Sequence, residues 1–322
     1  MENTSDPLPV FLAGPTAAGK SAIALELAER LDGEIISVDS MQVYRGLDIG
    51  TAKPSPEEQK RIPHHLIDVA GLDESFDAAR FVSLAKTAVA GIKLRGRVPI
   101  FCGGTGFYFK AFIEGLGEAP PADPKIRAEL QSTPMEQLLT ELEQRDPVTF
   151  GRVDRQNPRR VVRALEVIRI TGRPFSEQRA DWQAGRLSVP GHFIGLTRPA
   201  GELAERIRLR VDEMFARGLV EETRALLDHG LSSNPTALQA LGYRQVVEHL
   251  QGERLLAETV ELVKIRTRQF AKRQLTWFRR QMKLDWITLE GPSSAAAVRT
   301  RLEQLINALV QKGGISDRPD KV

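Results

Sequence analysis

One cysteine, Cys102, stands in a chain of 322 residues. That scarcity excludes an internal disulfide and any cysteine-rich zinc site. Long apolar runs are missing as well, since no stretch approaches the roughly 18 residues that a membrane helix needs. The opening segment, MENTSDPLPVFLAG, is polar and acidic with no basic stretch ahead of an apolar core, so no secretory leader is expected. A soluble, cytoplasmic chain with no membrane partner follows as the expectation. Repeats and low-complexity tracts are absent. Asp68-Val69-Ala70-Gly71 looks like a GTPase switch, but no N-K-x-D follows anywhere, so guanine recognition has no support. Net charge is small, at +3, yet the isoelectric point is near 9.0. The question is therefore where the basic residues lie. Hydrophobic residues at 41% and charged residues at 27% are enough for an ordinary globular core.

What is present begins with Gly14-Pro15-Thr16-Ala17-Ala18-Gly19-Lys20-Ser21, a phosphate-binding loop. Its glycines let backbone amides turn around phosphate oxygens, and the following helix adds its N-terminal dipole. Lys20 supplies a cation and Ser21 a hydroxyl for Mg²⁺. A chance glycine-rich turn is the bland alternative. Against it, the apolar run Pro9 to Ala13 precedes the loop, and Ala22 to Ala28 continues with helical spacing. Further strands are expected at Glu34 to Val38, Val98 to Cys102, His192 to Thr197 and Trp286 to Leu289, with a helix over Asp77 to Arg95. Strands alternating with helices predict an α/β fold, a parallel sheet flanked by helices. Pro120 to Pro124 reads as a linker into a mostly helical insert. Long helices are expected over Glu202 to His229, with Gly218 as a candidate break, and over Glu253 to Lys283. The expected organisation is a P-loop core in residues 1–118, a helical insert in 119–190, the rest of the core in 191–312 and a disordered tail in 313–322.

Asp39 ends the second strand, where open α/β sheets place their ligand crevice. It could ligate Mg²⁺, act as a base or cap a turn. Thr105 lies in the glycine-rich turn GGTG after the third strand, as a site residue or as a helix-starting threonine. In many P-loop enzymes that strand ends in an acidic metal-binding residue, and here it ends in glycines. His64 and His65 are adjacent without a third ligand, so surface or packing roles are expected.

The basic residues are clustered. Arg152, Arg155, Arg159, Arg160, Arg163, Arg169, Arg173 and Arg179 crowd one segment, against only Asp154, Glu166 and Glu177. From Leu262 to Leu284 there is no acidic residue, while Lys264, Arg266, Arg268, Lys272, Arg273, Arg279, Arg280 and Lys283 stand there among Phe270, Trp277 and Phe278. Such one-sidedness points to a polyanion rather than a solvated face. The aromatics would suit unpaired bases, or belong to the core.

GPTAAGKS, DSMQVYRGLDIGTAKP, GGTGFYFKAF, RRVVRALEV, ALGYRQ and KRQLTWFRR together resemble the signatures of the tRNA dimethylallyltransferases, in order and spacing, over about residues 8–310. The P-loop alone is widely shared; the second block is far more specific. Phe107 stands where leucine is frequent, and Arg159-Arg160 replaces a commoner Gln-Arg pair. The zinc-finger extension of some eukaryotic members is absent. The resemblance implies transfer of a dimethylallyl group from dimethylallyl diphosphate to the exocyclic amine of the adenosine 3′ to the anticodon. It implies that Asp39 is the base or acceptor for that amine, and that Thr105 and Arg217 contact the diphosphate held by Gly14 to Ser21, with Mg²⁺ on Ser21. It places tRNA against Asp39, Ser40, Met41 and Gln42; against Arg127, Arg159, Arg160, Val161, Val162 and Arg163; and against Ala240, Leu241, Gly242, Tyr243, Arg244 and Gln245. The basic helix carrying Lys272, Arg273, Trp277 and Arg279 fits the same anticodon stem-loop. A monomer is expected. Two rivals stay open: a P-loop kinase of a small metabolite, and a nucleotide-regulated RNA-binding module without catalysis.

Overall fold

The computed structural model describes residues 7–178 and 189–291. The basic residue Arg179 and the tail 313–322 lie outside the described residues. The chain divides into two compact units, one of Met1–Ile113 with Ala184–Val322 and one of Glu114–Gln183.

The first unit is built on strands β1 (Val10–Ala13), β2 (Gly33–Val38), β3 (His64–His65), β4 (Val98–Gly103), β5 (His192–Thr197) and β6 (Asp285–Thr288). Their order is β3-β2-β4-β1-β5-β6, and every pairing is parallel. The helices before the insert are α1 (Lys20–Arg30), α2 (Pro56–Arg61), α3 (Ala78–Leu94) and α4 (Gly106–Glu114). The insert carries α5 (Pro124–Ser132), α6 (Met135–Arg145), α7 (Pro147–Arg152), α8 (Pro158–Thr171) and α9 (Phe175–Gln178). After it come α10 (Ala200–Ala216), α11 (Leu219–Asp228), α12 (Tyr243–Leu250) and α13 (Leu256–Gln281).

Alternation along the central strand explains why helices cover both sheet faces. Val10 and Leu12 point to one side, where they pack with Ala24, Leu27, Ala28 and Leu31. Phe11 points to the other and stacks between Phe101 at 4.7 Å and Phe193 at 4.6 Å between centroids. A strand buried on both faces needs apolar residues at every position, as β1 has. The expected strand Trp286 to Leu289 is found one residue earlier, at Asp285–Thr288. The strand β3 had no signal: two histidines have no periodicity. They fill packing roles, with His65 Nε2 at 2.6 Å from Glu34 Oε2 and His64 Nδ1 at 2.7 Å from the Ile62 carbonyl.

The break at Gly218 is real. Gly218 has φ +96 and separates α10 from α11, a left-handed position that favours glycine.

In the insert, α8 lays Val161, Ala164, Leu165 and Ile168 into an apolar core with Leu130, Leu138 and Leu142. Glu166 is fully buried on the same helix. Its carboxylate accepts bonds from Arg127 Nη2 at 2.7 Å, Arg163 Nη1 at 2.7 Å and the Asp123 amide at 3.1 Å. A buried carboxylate is tolerable only with such partners.

Candidate active site

Strand register sets the site. Ala13 and Val38 both lie level with Gly103, so the residues that follow β1, β2 and β4 emerge side by side. These are Gly14, Asp39 and Gly104, at or next to the heads of three of the motifs. They open on a cavity of about 740 Å³ within the first unit, lined by the loop through Thr16, Lys20 and Ser21, by Asp39 to Gln42, and by Gly103 to Thr105. Helix α10 adds Arg210 and Met214; the segment before α12 adds Gln239 to Leu241; α13 adds Arg266, Phe270, Arg273 and Gln274.

The loop is braced from behind. A Cβ on Gly14 would meet the Leu196 carbonyl oxygen at 2.3 Å, so only glycine passes β5 there. Gly19 caps α1 with φ 100. Arg206 Nε donates to the Ala17 carbonyl at 2.9 Å, and Arg198 Nε to that of Ala18 at 3.1 Å. Because a trans peptide points its carbonyl and its amide in opposite directions, Arg198 turns the Gly19 amide to the other side. Neither arginine was singled out by the sequence.

Lys20 donates to the Pro15 carbonyl at 2.7 Å. Burial pushes its ammonium down to about 8, with Arg210 acting in the same direction and Cys102 and Asp39 opposing. Burial pushes the Cys102 thiol up to about 11, so it stays a neutral wall residue near neutral pH.

Of its candidate roles, Asp39 visibly fills that of holding its turn. Oδ1 accepts from the Met41 amide at 2.8 Å and the Gln42 amide at 3.3 Å, which holds the turn. Among the described residues Oδ2 has no hydrogen-bond donor, and Asp39 lines the cavity. Thr105 Oγ1 accepts from the Ser40 amide at 3.0 Å, tying the Asp39 segment to the glycine-rich turn. Its hydroxyl hydrogen is held only at 3.5 Å by Ser40 Oγ, beyond an ordinary O–H···O distance. Ser21 lies exposed in the cavity.

Arg217 caps the end of α10, is 60% exposed and, among the described residues, approaches Glu213 alone, at 3.9 Å; it stands outside the cavity lining. Arg210 belongs to that lining, two helical turns earlier, half-buried beside Asp39 and Lys20. Helical periodicity brings residues seven apart to one face, so the spacing allows both, and only the helix end at Gly218 separates them.

The expected tRNA residues divide. Val161 and Val162 lie in the insert core, 0% and 6% exposed. Arg127 and Arg163 are tied to Glu166, and Arg169 to Glu129 and Glu141, so the insert's basic run is less one-sided in space than in sequence. Arg159 and Arg160 are exposed at the start of α8. Ala240, Leu241, Arg244 and Gln245 line the cavity. Tyr243 is fully buried; its hydroxyl donates to Glu222 Oε1 at 2.5 Å and accepts from the Gly50 amide at 3.0 Å. Gly242 is buried at the start of α12. On α13, Lys272, Arg273 and Arg279 are exposed. Trp277 lies against Gly106, where a Cβ would meet its ring at 2.1 Å, and Phe278 is core. The cavity wall carries Phe270, 36% exposed, with the Arg273 guanidinium 5.9 Å from its ring centroid.

Among the described residues no cluster of three or more His, Cys, Asp or Glu could hold a metal by itself. Mg²⁺ does not need one, since it is commonly held by one or two protein oxygens together with substrate phosphates and water. The Ser21 hydroxyl, exposed in the cavity beside the phosphate loop, fits that mode.

This geometry has relatives. A family model described as IPP transferase matches residues 42–281. The chain is 46% identical over 298 residues to a tRNA dimethylallyltransferase of Trichlorobacter lovleyi, covering 91% of this chain and 97% of the relative. It is 42% identical over 308 residues to that of Geobacillus kaustophilus, covering 93% and 96%. Its fold is similar to the crystal structure of the full-length tRNA isopentenylpyrophosphate transferase of Bacillus halodurans, with a TM-score of 0.68, 38% identity and coverage of 96% and 98%. It is also similar to a eukaryotic dimethylallyltransferase acting on tRNA, with a TM-score of 0.80, 26% identity and coverage of 96% and 81%. With motifs, fold and near full-length relatives in agreement, the chain belongs to the IPP transferase family.

Proposed function

We propose that the protein transfers a dimethylallyl group from dimethylallyl diphosphate to the exocyclic amine of the adenosine 3′ to the anticodon of tRNA, releasing diphosphate. The observation that carries this reading is one cavity that joins a phosphate loop, a carboxylate with an open oxygen and an arginine-lined wall. It is supported by relatives named for this activity.

The chemistry explains the parts. Adenine's amine is a weak nucleophile because its lone pair is delocalised into the ring. An allylic diphosphate compensates, because its C–O bond breaks early to a resonance-stabilised carbon. Lys20, Arg210 and the loop amides then stabilise the negative charge that collects on the leaving diphosphate. Mg²⁺ bound through Ser21 would supply further Lewis-acid stabilisation of that charge. As the N–C bond forms, Asp39 takes the amine proton through Oδ2, while Oδ1 keeps the carboxylate aimed. Thr105 holds the Asp39 segment in place and can offer its hydroxyl to the diphosphate. The unpaired anticodon-loop base leaves its stack at less cost than a paired one.

Exposed Arg159 and Arg160 on the insert and Lys272, Arg273 and Arg279 on α13 would meet tRNA phosphates. The protein would act as a monomer in the cytoplasm, where tRNA is found; no helix among the described residues is long and apolar enough to cross a membrane. Arg160→Ala should weaken tRNA binding and reduce the slope of log K against log salt by roughly one. Unchanged affinity and slope across a salt series would remove the insert from the RNA surface.

Lys20 gives a pH signature. Its lowered pKa means that the free protein loses this cation as pH rises through about 8. Once dimethylallyl diphosphate is fully ionised, above about pH 7, its binding should therefore weaken as pH rises past about 8, approaching about tenfold per pH unit. A titration at fixed ionic strength checks this, and Lys20→Met should abolish the pH dependence along with most of the affinity.

The decisive assay supplies labelled dimethylallyl diphosphate and tRNA. Label entering tRNA, with the modified adenosine seen by mass spectrometry, is the expected result. ATP hydrolysis or phosphate transfer to a metabolite would favour a kinase instead. RNA binding that leaves adenosine unmodified under saturating donor would leave only a binding module.

A further inference from the structure

In nucleoside triphosphatases with this kind of loop, the outermost phosphate lies against the loop near the end of the neighbouring strand, where an acidic residue serves the metal. Here that neighbour is β4, whose Gly103 is level with Ala13. The space between Thr16 on the loop and Gly104 after β4 is filled by a side chain from elsewhere. The Gln274 carboxamide of α13 accepts from the Thr16 amide through Oε1 at 2.8 Å and donates to the Gly104 carbonyl through Nε2 at 2.9 Å. It is only 9% exposed.

We propose that Gln274 fills the place of a third phosphate, fitting the loop to diphosphates and against triphosphates. This rests on the reading of the loop as a diphosphate cradle.

Two features make the device specific. The Thr16 amide, an anion donor at the mouth of the loop, is already bonded to a carbonyl oxygen. That oxygen presents its remaining lone pair to anything that approaches, so a third phosphate would meet repulsion where a nucleoside triphosphatase offers a donor. The strand end is also committed. A Cβ on Gly104 would stand 2.2 Å from Gln274 Nε2, so the glutamine and a side chain at the strand end exclude one another. The missing acidic residue after β4 and the presence of Gln274 are thus one arrangement. Its carrier is firmly seated, since Ala271 and Phe278 on the same helix are 1% and 0% exposed.

The test titrates the full chain, in Mg²⁺ buffer, with inorganic diphosphate and with inorganic triphosphate. The wild type should bind diphosphate about tenfold or more tightly, the scale of one buried hydrogen-bonding group mismatched. Gln274→Ala should shrink that preference to about threefold or less. Gly104→Ala, which displaces the carboxamide from the other side, should shrink it likewise. Equal binding of the two anions by the wild type would overturn the proposal without any variant. An unchanged preference in a variant that unfolds with the wild-type cooperative transition would overturn it as well. A wild type that binds neither anion would overturn the diphosphate cradle itself, and this inference with it.

Discussion

Asp39→Ala should lower prenyl transfer by about 10²–10⁴-fold, the range of a positioned general base, while tRNA affinity falls only a few-fold. The size of the effect follows from the division of labour between its two oxygens. Oδ1 holds the Met41 and Gln42 amides, and Oδ2 remains for the substrate amine. Alanine removes both functions at once, so a second variant separates them. Asp39→Asn keeps an oxygen for the turn and loses the basic one. If the turn alone mattered, asparagine would restore near-normal turnover; the base assignment requires it to stay within about tenfold of alanine. Single-turnover rates with labelled donor, beside filter binding of tRNA, give both quantities.

Arg210→Gln should cost about 10²–10³ in the rate of transfer, the typical loss of one preorganised donor to a developing anion. Arg217→Gln should leave the rate within about twofold, because an exposed side chain at the end of a helix acts in high dielectric. The pair is informative because both arginines lie on α10 or at its cap, and both keep the same net charge change when replaced. A deficit in the Arg217 variant with none in the Arg210 variant would reverse the assignment. The effect should appear in kcat and kcat/KM together, as expected for an interaction that strengthens as the diphosphate departs.

Some of the site was legible because parallel α/β sheets place ligands at the C-terminal ends of strands. Gly14, Asp39 and Thr105 each follow an apolar run, and a reader who finds the runs finds the crevice. The four runs at Val10, Gly33, Val98 and His192 were readable because each is short, apolar and followed by glycine or polar residues. The basic helix was readable too, since Lys272, Arg273 and Arg279 are exposed as their charges require. Other residues carried no such signal. Arg198 and Arg206 hold loop carbonyls, and no local pattern distinguishes them from Arg208, which pairs on the surface with Glu205 and Asp212. Arg127 and Arg163 belong to a charged run by sequence and to Glu166 by contact. A motif marks a segment as important without saying which of its residues face the ligand. That is why Val161, Val162 and Tyr243 fell among the expected tRNA residues although their side chains are buried.

By itself the sequence determined that this is a phosphate-loop α/β protein with a helical insert and two basic segments, because those properties are local. A loop needs glycines in order, a strand needs an apolar run, and a helix needs its period. Tertiary structure alone decided which arginine enters the cavity, which oxygen of Asp39 is committed and what stands at the mouth of the loop. The bond from Thr16 to Gln274 joins residues 258 positions apart. No spacing rule reaches that far, because the distance between two side chains in different elements is set by how the whole core packs.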